Sequence, residues 1–168
     1  MNMGVIIEKL TWGSWTPHKF KIAVSGCPRN CAEATIKDLG IIGVDSGWEI
    51  HIAGNGGIKV RVTDFLCKVE TDEQLLTYVK AFMQFHREDS YYLERTAHWV
   101  ERTGLQYIKD VMLDKQQVSE YAKRFEISQE SAQVDPWAQA IKDGFTKEFD
   151  PIVINPEESH SFEAKEQI

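Results

Sequence analysis

Between Lys19 and Thr63 apolar and polar residues alternate with a period of two. Phe20, Ile22 and Val24 are interleaved with Lys19, Lys21 and Ala23, Ile50 and Ile52 with Glu49 and His51, and Ile58, Val60 and Val62 with Lys59 and Arg61. Successive strand residues point to opposite sides, so each stretch predicts a strand with one buried face. Leu39-Gly-Ile-Ile-Gly-Val44 is a short apolar run consistent with a further strand, closed by the turn-forming Asp45-Ser46-Gly47. Gly54-Asn55-Gly56-Gly57 separates the last two alternating stretches and reads as a hairpin connection, because Gly and Asn tolerate positive φ. The stretch from Cys31 to Asp38 is expected to hold a short helix.

From Thr71 onward the period is helical. Thr71 and Gln74 stand at capping-box spacing, and Leu75, Val79, Phe82, Met83 and His86 then share one helical face. Leu93, Ala97 and Val100 predict a second helix closed by Gly104, Leu105, Ile108 and Met112 a third, and Val118, Ala122 and Phe125 a fourth. Asp135-Pro136-Trp137 opens a fifth, with Asp as N-cap and Pro at the first helical position, and Gly144 as its end. The expectation is an α+β fold. A small antiparallel sheet over about 19–63 precedes helices over about 71–145, in one domain reaching residue 154, and a loose polar tail covers 155–168.

A net charge of −7 over 168 residues argues against a general nucleic-acid binder, which needs a basic surface to neutralise phosphates. No apolar run approaches membrane-spanning length, and no basic stretch followed by a long apolar block opens the chain. The expected compartment is the cytoplasm, without a membrane partner. Three cysteines, Cys27, Cys31 and Cys67, are too few and odd in number for a disulfide scaffold.

The chemistry-bearing stretch is Ser25-Gly26-Cys27-Pro28-Arg29-Asn30-Cys31-Ala32-Glu33-Ala34. It follows a predicted strand, and Gly26, Pro28 and Asn30 are turn-forming residues, so both thiols sit on a tightly shaped loop. Cys–x3–Cys spacing can direct two sulfurs at one centre, and thiolates select soft metals and iron–sulfur clusters. Cys31 lies near the start of the expected short helix, whose dipole would favour an anionic ligand. By spacing alone, two unrelated cysteines on a turn is an equally good account. Cys67, in the apolar run Phe65-Leu66-Cys67, reads as a buried structural thiol.

Gly-Cys-Pro-Arg-Asn-Cys after an alternating strand resembles the second half of the signature of the sirohaem/[4Fe–4S] nitrite and sulfite reductases. The likeness runs through Asp38-Leu-Gly-Ile-Ile-Gly-Val-Asp45 and Ile50-His-Ile-Ala-Gly-Asn-Gly-Gly-Ile-Lys59 into Leu93-Glu-Arg-Thr-Ala-His-Trp-Val100, covering about Gly4 to Pro151. Within that family it is most similar to the large subunit of the bacterial assimilatory NAD(P)H-dependent nitrite reductases. The resemblance implies that Cys27 and Cys31 are two of the cluster ligands and that Cys31 bridges the cluster to the sirohaem iron. It further implies that nitrite is reduced to ammonia, that FAD and NAD(P)H serve an upstream module, and that partners are the rest of the large subunit and a small subunit. The family's other two ligands form an upstream Cys–x5–Cys pair, and no cysteine precedes Cys27 here. The chain is therefore expected to be a carboxy-terminal piece of the sirohaem domain that holds no cofactor and is inactive alone. Trp12 and Trp15 are candidate contacts left stranded by the missing part, so the isolated chain is expected to self-associate, or its first residues to fold back over the open face.

Arg29, Lys59 and Arg61 are candidate contacts for sirohaem carboxylates, with Lys59 and Arg61 on one sheet face or simply solvated. Asn30 is a candidate contact to the cluster or sirohaem, or else completes the turn. No histidine pair has metal-ligand spacing, and His86 reads as a core histidine. Glu94, Arg95, Glu101 and Arg102 read as a charged helix surface. A sulfite reductase haemoprotein and a non-catalytic docking module that keeps the fold are the alternatives.

Overall fold

A computed structural model describes residues 2–144. The chain divides into two compact units, Met1–Gln133 and Val134–Ile168. In the first, helix α1 (Asn2–Thr11) leads to strand β1 (Ile22–Ser25), a 3-10 turn at Ala34–Ile36, and strands β2 (Leu39–Val44), β3 (Gly47–Ile52) and β4 (Asp64–Val69). Helices α2 (Asp72–Asp89), α3 (Thr96–Thr103), α4 (Leu105–Leu113) and α5 (Lys115–Gln133) follow. The described part of the second unit is helix α6 (Pro136–Lys142), capped by the Asp135 side chain on the Trp137 and Ala138 amides, with its flanking residues. The expected polar tail from residue 155 lies outside the described residues.

The fold is α+β, as its periodicities predict. The strands lie in the order β1-β2-β3-β4. β2–β3 and β3–β4 are antiparallel, but β1 runs parallel to β2, so the sheet is mixed rather than wholly antiparallel. Ile22 faces Leu39 and Ser25 faces Ile42, so the intervening segment is a crossover that returns along the length of β1. That segment carries the cysteine loop and passes tightly against β2: a Cβ on Gly40 would stand 2.2 Å from the Ala34 carbonyl oxygen.

The last strand differs from the one expected. Ile58, Val60 and Val62 are exposed, and their segment curls on itself instead of pairing in the sheet. Asn55 clasps it: its amide donates to the Lys59 carbonyl at 2.8 Å, its side-chain oxygen accepts from Gly57 N at 3.2 Å, and its backbone pairs with Arg61. The sheet edge is instead Asp64–Val69, where a bulge at Ile50/His51 skips Leu66 in the register. The bulge lets Leu66 and Cys67, neighbours in sequence, both be buried.

α2 is the central helix. Both halves of the Thr71/Gln74 capping box form, and Leu75, Val79, Phe82, Met83 and His86 are all buried. α2 lies against β3 and along α5, and α4 packs on β4. Trp99 of α3 sits among Phe82, Phe85 and His86 at ring separations of 5.9, 5.0 and 5.1 Å. The amino-terminal segment folds back as α1, burying Met3 and Ile7 in the same core and leaving Val5, Ile6 and Trp12 exposed. No described helix is long and apolar enough to cross a membrane.

The charged residues near α3 do not form one solvated face. Arg95 reaches the fully buried Asp38. Glu94 pairs with Arg102 at 2.8 Å, and Glu101 with Lys59 at 3.3 Å.

Candidate functional site

β1 ends in Ser25, which is buried, and the chain then turns outward. Cys27 and Cys31 are both exposed free thiols, and Cys67 is a buried one. Between the exposed pair, the Asn30 amide N–H donates to the Cys27 carbonyl at 3.1 Å, closing a four-residue turn across Pro28 and Arg29. Asn30 has φ +54°, a left-handed conformation that Asn tolerates better than most residues.

The Asn30 side chain ties this turn to what lies before and after it. Its oxygen accepts from Ser25 Oγ at 3.2 Å and from the Ala34 amide at 2.7 Å, and its nitrogen donates to Thr35 Oγ1 at 2.7 Å. Ser25 Oγ also accepts from the Ala32 amide at 3.3 Å. The Asn30 side chain is thus engaged within the loop. Its partners are Ser25, which opens the chemistry-bearing stretch, and Thr35, which lies just beyond it and carries no motif of its own.

The short helix expected over Cys31 to Asp38 is only the 3-10 turn Ala34–Ile36. A single turn of this kind aligns too few peptides to place an α-helical dipole at Cys31. After it, Asp38 anchors the crossover. One carboxylate oxygen accepts from Arg95 Nε at 3.0 Å and Thr96 Oγ1 at 2.6 Å, the other from Arg95 Nη2 at 2.7 Å and the Lys21 amide at 2.9 Å. A buried charge met in this way is tolerated, because its lone pairs are filled.

The loop that carries Lys59 and Arg61 leans on the exit of the cysteine loop. Thr63 N donates to the Thr35 carbonyl at 2.8 Å, and Gly54 N to the Lys37 carbonyl at 2.8 Å. A Cβ on Gly54 would fall 2.5 Å from that same oxygen, so this approach requires glycine. Lys59 and Arg61 do not share a sheet face, since neither lies in a strand of the sheet. Arg61 donates to Asp64 at 2.6 Å and to the Ala53 carbonyl at 2.7 Å, while Lys59 reaches Glu101. Arg29, exposed between the two cysteines, has no ion pair or hydrogen bond among the described residues.

Beside Cys27 the surface opens into a hollow of about 380 Å³, bounded by Gly26, Pro28, Gly43, Asp45 and Trp48. Trp48 is held there by its ring N–H on Asp72 at 2.8 Å. Cys67 lies elsewhere, in β4, where burial pushes its thiol up to about 11 against a smaller opposing contribution from its hydrogen bond with Tyr78.

Two exposed thiols on an internally satisfied loop fit half the ligand set of a [4Fe–4S] cluster, which takes four thiolates. Among the described residues no three Cys, His, Asp or Glu side chains gather to hold a metal ion by themselves.

Residues 3–120 match the model of the nitrite and sulphite reductase 4Fe-4S domain. The chain is 46% identical over 143 residues to the nitrite reductase [NAD(P)H] of Bacillus subtilis, covering 85% of this chain and 18% of that protein. It is 42% identical over 116 residues to the nitrite reductase (NADH) large subunit of Escherichia coli, covering 68% of this chain and 14% of that one. It is 33% identical over 113 residues to the assimilatory-type sulfite reductase of Nitratidesulfovibrio vulgaris, covering 67% of this chain and 52% of that protein. The chain thus spans less than a fifth of the length of the two nitrite reductases. The family match covers most of the first unit, cysteine loop and mixed sheet included, and on that ground the chain belongs to the nitrite and sulphite reductase 4Fe-4S domain family.

Proposed function

We propose that the chain is the carboxy-terminal part of the sirohaem domain of an assimilatory NAD(P)H-dependent nitrite reductase. In this reading Cys27 and Cys31 supply two of the four cluster thiolates, and Cys31 is the one shared with the sirohaem iron. The observation that carries it is the placement of both thiols, exposed, on one hydrogen-bonded loop inside the matched region. When bound, the coupled cofactors supply the stepwise delivery of electrons that turns nitrite into ammonia.

The chain's own residues ligate and position. Pro28 and Asn30 shape the turn between the sulfurs. Arg29, unpaired in the described chain, is the basic group offered to a sirohaem carboxylate, since guanidinium pairs bidentately with such groups. Lys59 and Arg61 already hold Glu101 and Asp64, so they brace the neighbouring loop, and contact with sirohaem would require them to share or exchange these partners. The remaining two thiolates, the FAD- and NAD(P)H-binding module and a small subunit belong to other parts of the enzyme. With two ligands, the chain by itself assembles no stable cluster and reduces no nitrite.

The test is made in the whole enzyme. Cys31→Ser is expected to abolish nitrite reduction and disturb the sirohaem absorption bands, with Cys67→Ser leaving both nearly intact. Equal losses from the two substitutions would show the site to be misassigned. A sulfite reductase reading is favoured by the assimilatory-type sulfite reductase, of which this chain covers about half, and the ratio of turnover with nitrite to turnover with sulfite separates the two.

A further inference from the structure

A single side chain between the two sulfur-bearing residues ties their loop to what flanks it. The Asn30 oxygen is tied back to Ser25, the strand residue before the loop, and its nitrogen is tied forward to Thr35, beyond Cys31. Its backbone holds the Cys27 carbonyl at 3.1 Å and the Glu33 amide at 2.9 Å. An exposed loop must lose conformational freedom before two of its side chains can meet one centre, and that loss weakens capture unless the order is already present.

We infer that Asn30 is a positioning residue: with Ser25 and Thr35 it fixes the loop so that one centre captures both the Cys27 and Cys31 sulfurs. This rests on the reading of the pair as cluster ligands. A left-handed backbone alone does not account for the residue. Glycine meets that need, but it has no side chain to span from Ser25 to Thr35, as the Asn30 amide does by accepting from one hydroxyl and donating to the other. Thr35 has the complementary role, accepting at 2.7 Å from a site four residues past Cys31.

The experiment uses the full chain carrying Cys67→Ser, so that only the loop thiols respond. The probe is phenylarsine oxide, whose arsenic exchanges its oxygen for two thiolate sulfurs and releases water, with no change of oxidation state. Asn30→Gly keeps the left-handed backbone and removes the amide, and Thr35→Val removes the acceptor at nearly constant shape. Both are expected to weaken arsenical capture about tenfold, the effect of losing one or two hydrogen bonds that order the loop. Iodoacetamide alkylation of the single thiols and the far-ultraviolet circular dichroism should stay at the parental values, which general unfolding would not allow. Unchanged capture in folded Thr35→Val overturns the inference, even where Asn30→Gly fails to fold. The ligand reading is separated by the iron content of the whole enzyme carrying Cys31→Ser. Full iron retention there overturns that reading and the positioning role together. Unchanged capture with iron lost from Cys31→Ser overturns the positioning role alone.

Discussion

Arg95 meets Asp38 in a fork, Nε to one carboxylate oxygen at 3.0 Å and Nη2 to the other at 2.7 Å. The pair joins the start of α3 to the end of the cysteine-bearing crossover. Asp38 is fully buried and Arg95 largely so. Removing one partner of a buried pair strands the other, so Arg95→Ala is expected to cost about 3–5 kcal/mol. Urea unfolding followed by circular dichroism measures this. A loss under about 1 kcal/mol, the scale of an exposed pair, would show the carboxylate to be hydrated.

His86 gives the fold a dependence on acid. It is packed against Phe20 and Trp99, and burial lowers its pKa to about 4, against smaller raising contributions led by Asp38. The unfolded chain, with an ordinary histidine near 6.5, binds the proton first. Stability therefore falls as pH drops from about 6.5 to about 4 and levels off below that, by on the order of 3 kcal/mol from this residue. His86→Phe should flatten that limb in thermal melts taken across the range. An unaltered slope would assign the acid sensitivity to other groups.

Much of the helical half is legible in the chain because each helix carries its own marks. The Thr71/Gln74 box and the Leu75-to-His86 face depend on residues within one element. The edge strand is not legible, because Ile58, Val60 and Val62 alternate as a strand does while the Asn55 clasp diverts them. α1 is hidden for a related reason: Gly4 and the branched Val5-Ile6-Ile7 are poor helix formers, and the helix forms by burying Met3 and Ile7. Of the site, the cysteines and the turn residues stand out by spacing. Asp38 does not, since Arg95 and Thr96 are 57 and 58 residues away and only the fold brings them together, and Ser25 and Thr35 do not, since their ties to Asn30 depend on how the loop is folded.

The three thiols should separate by reactivity. Cys27 and Cys31 are exposed, whereas Cys67 is buried with its thiol pushed up to about 11. Brief iodoacetamide treatment of the native chain near neutral pH, read by peptide mass spectrometry, is expected to label the first two at least tenfold faster. Comparable labelling of Cys67 would mean that β4 opens readily.

Gly40 is expected to tolerate no side chain. The 2.2 Å approach to the Ala34 oxygen leaves an added methyl group no room, and the obstacle is backbone. Gly40→Ala should destabilise the chain by roughly 1–3 kcal/mol, the usual range for overpacking. A neutral substitution, measured by thermal melting, would show that the crossover lifts from β2 at little cost.

The crossover also limits how far this sulfur-bearing segment can be transplanted. Its polar ties end on Ser25 inside β1 and on a turn braced by Thr63. A synthetic peptide cut at Gly26 and Cys31 would carry both thiols and Asn30 but neither Ser25 nor Thr35, the partners of its side chain. A host would have to offer two adjacent parallel strands, with a glycine on the second where the returning chain crosses it.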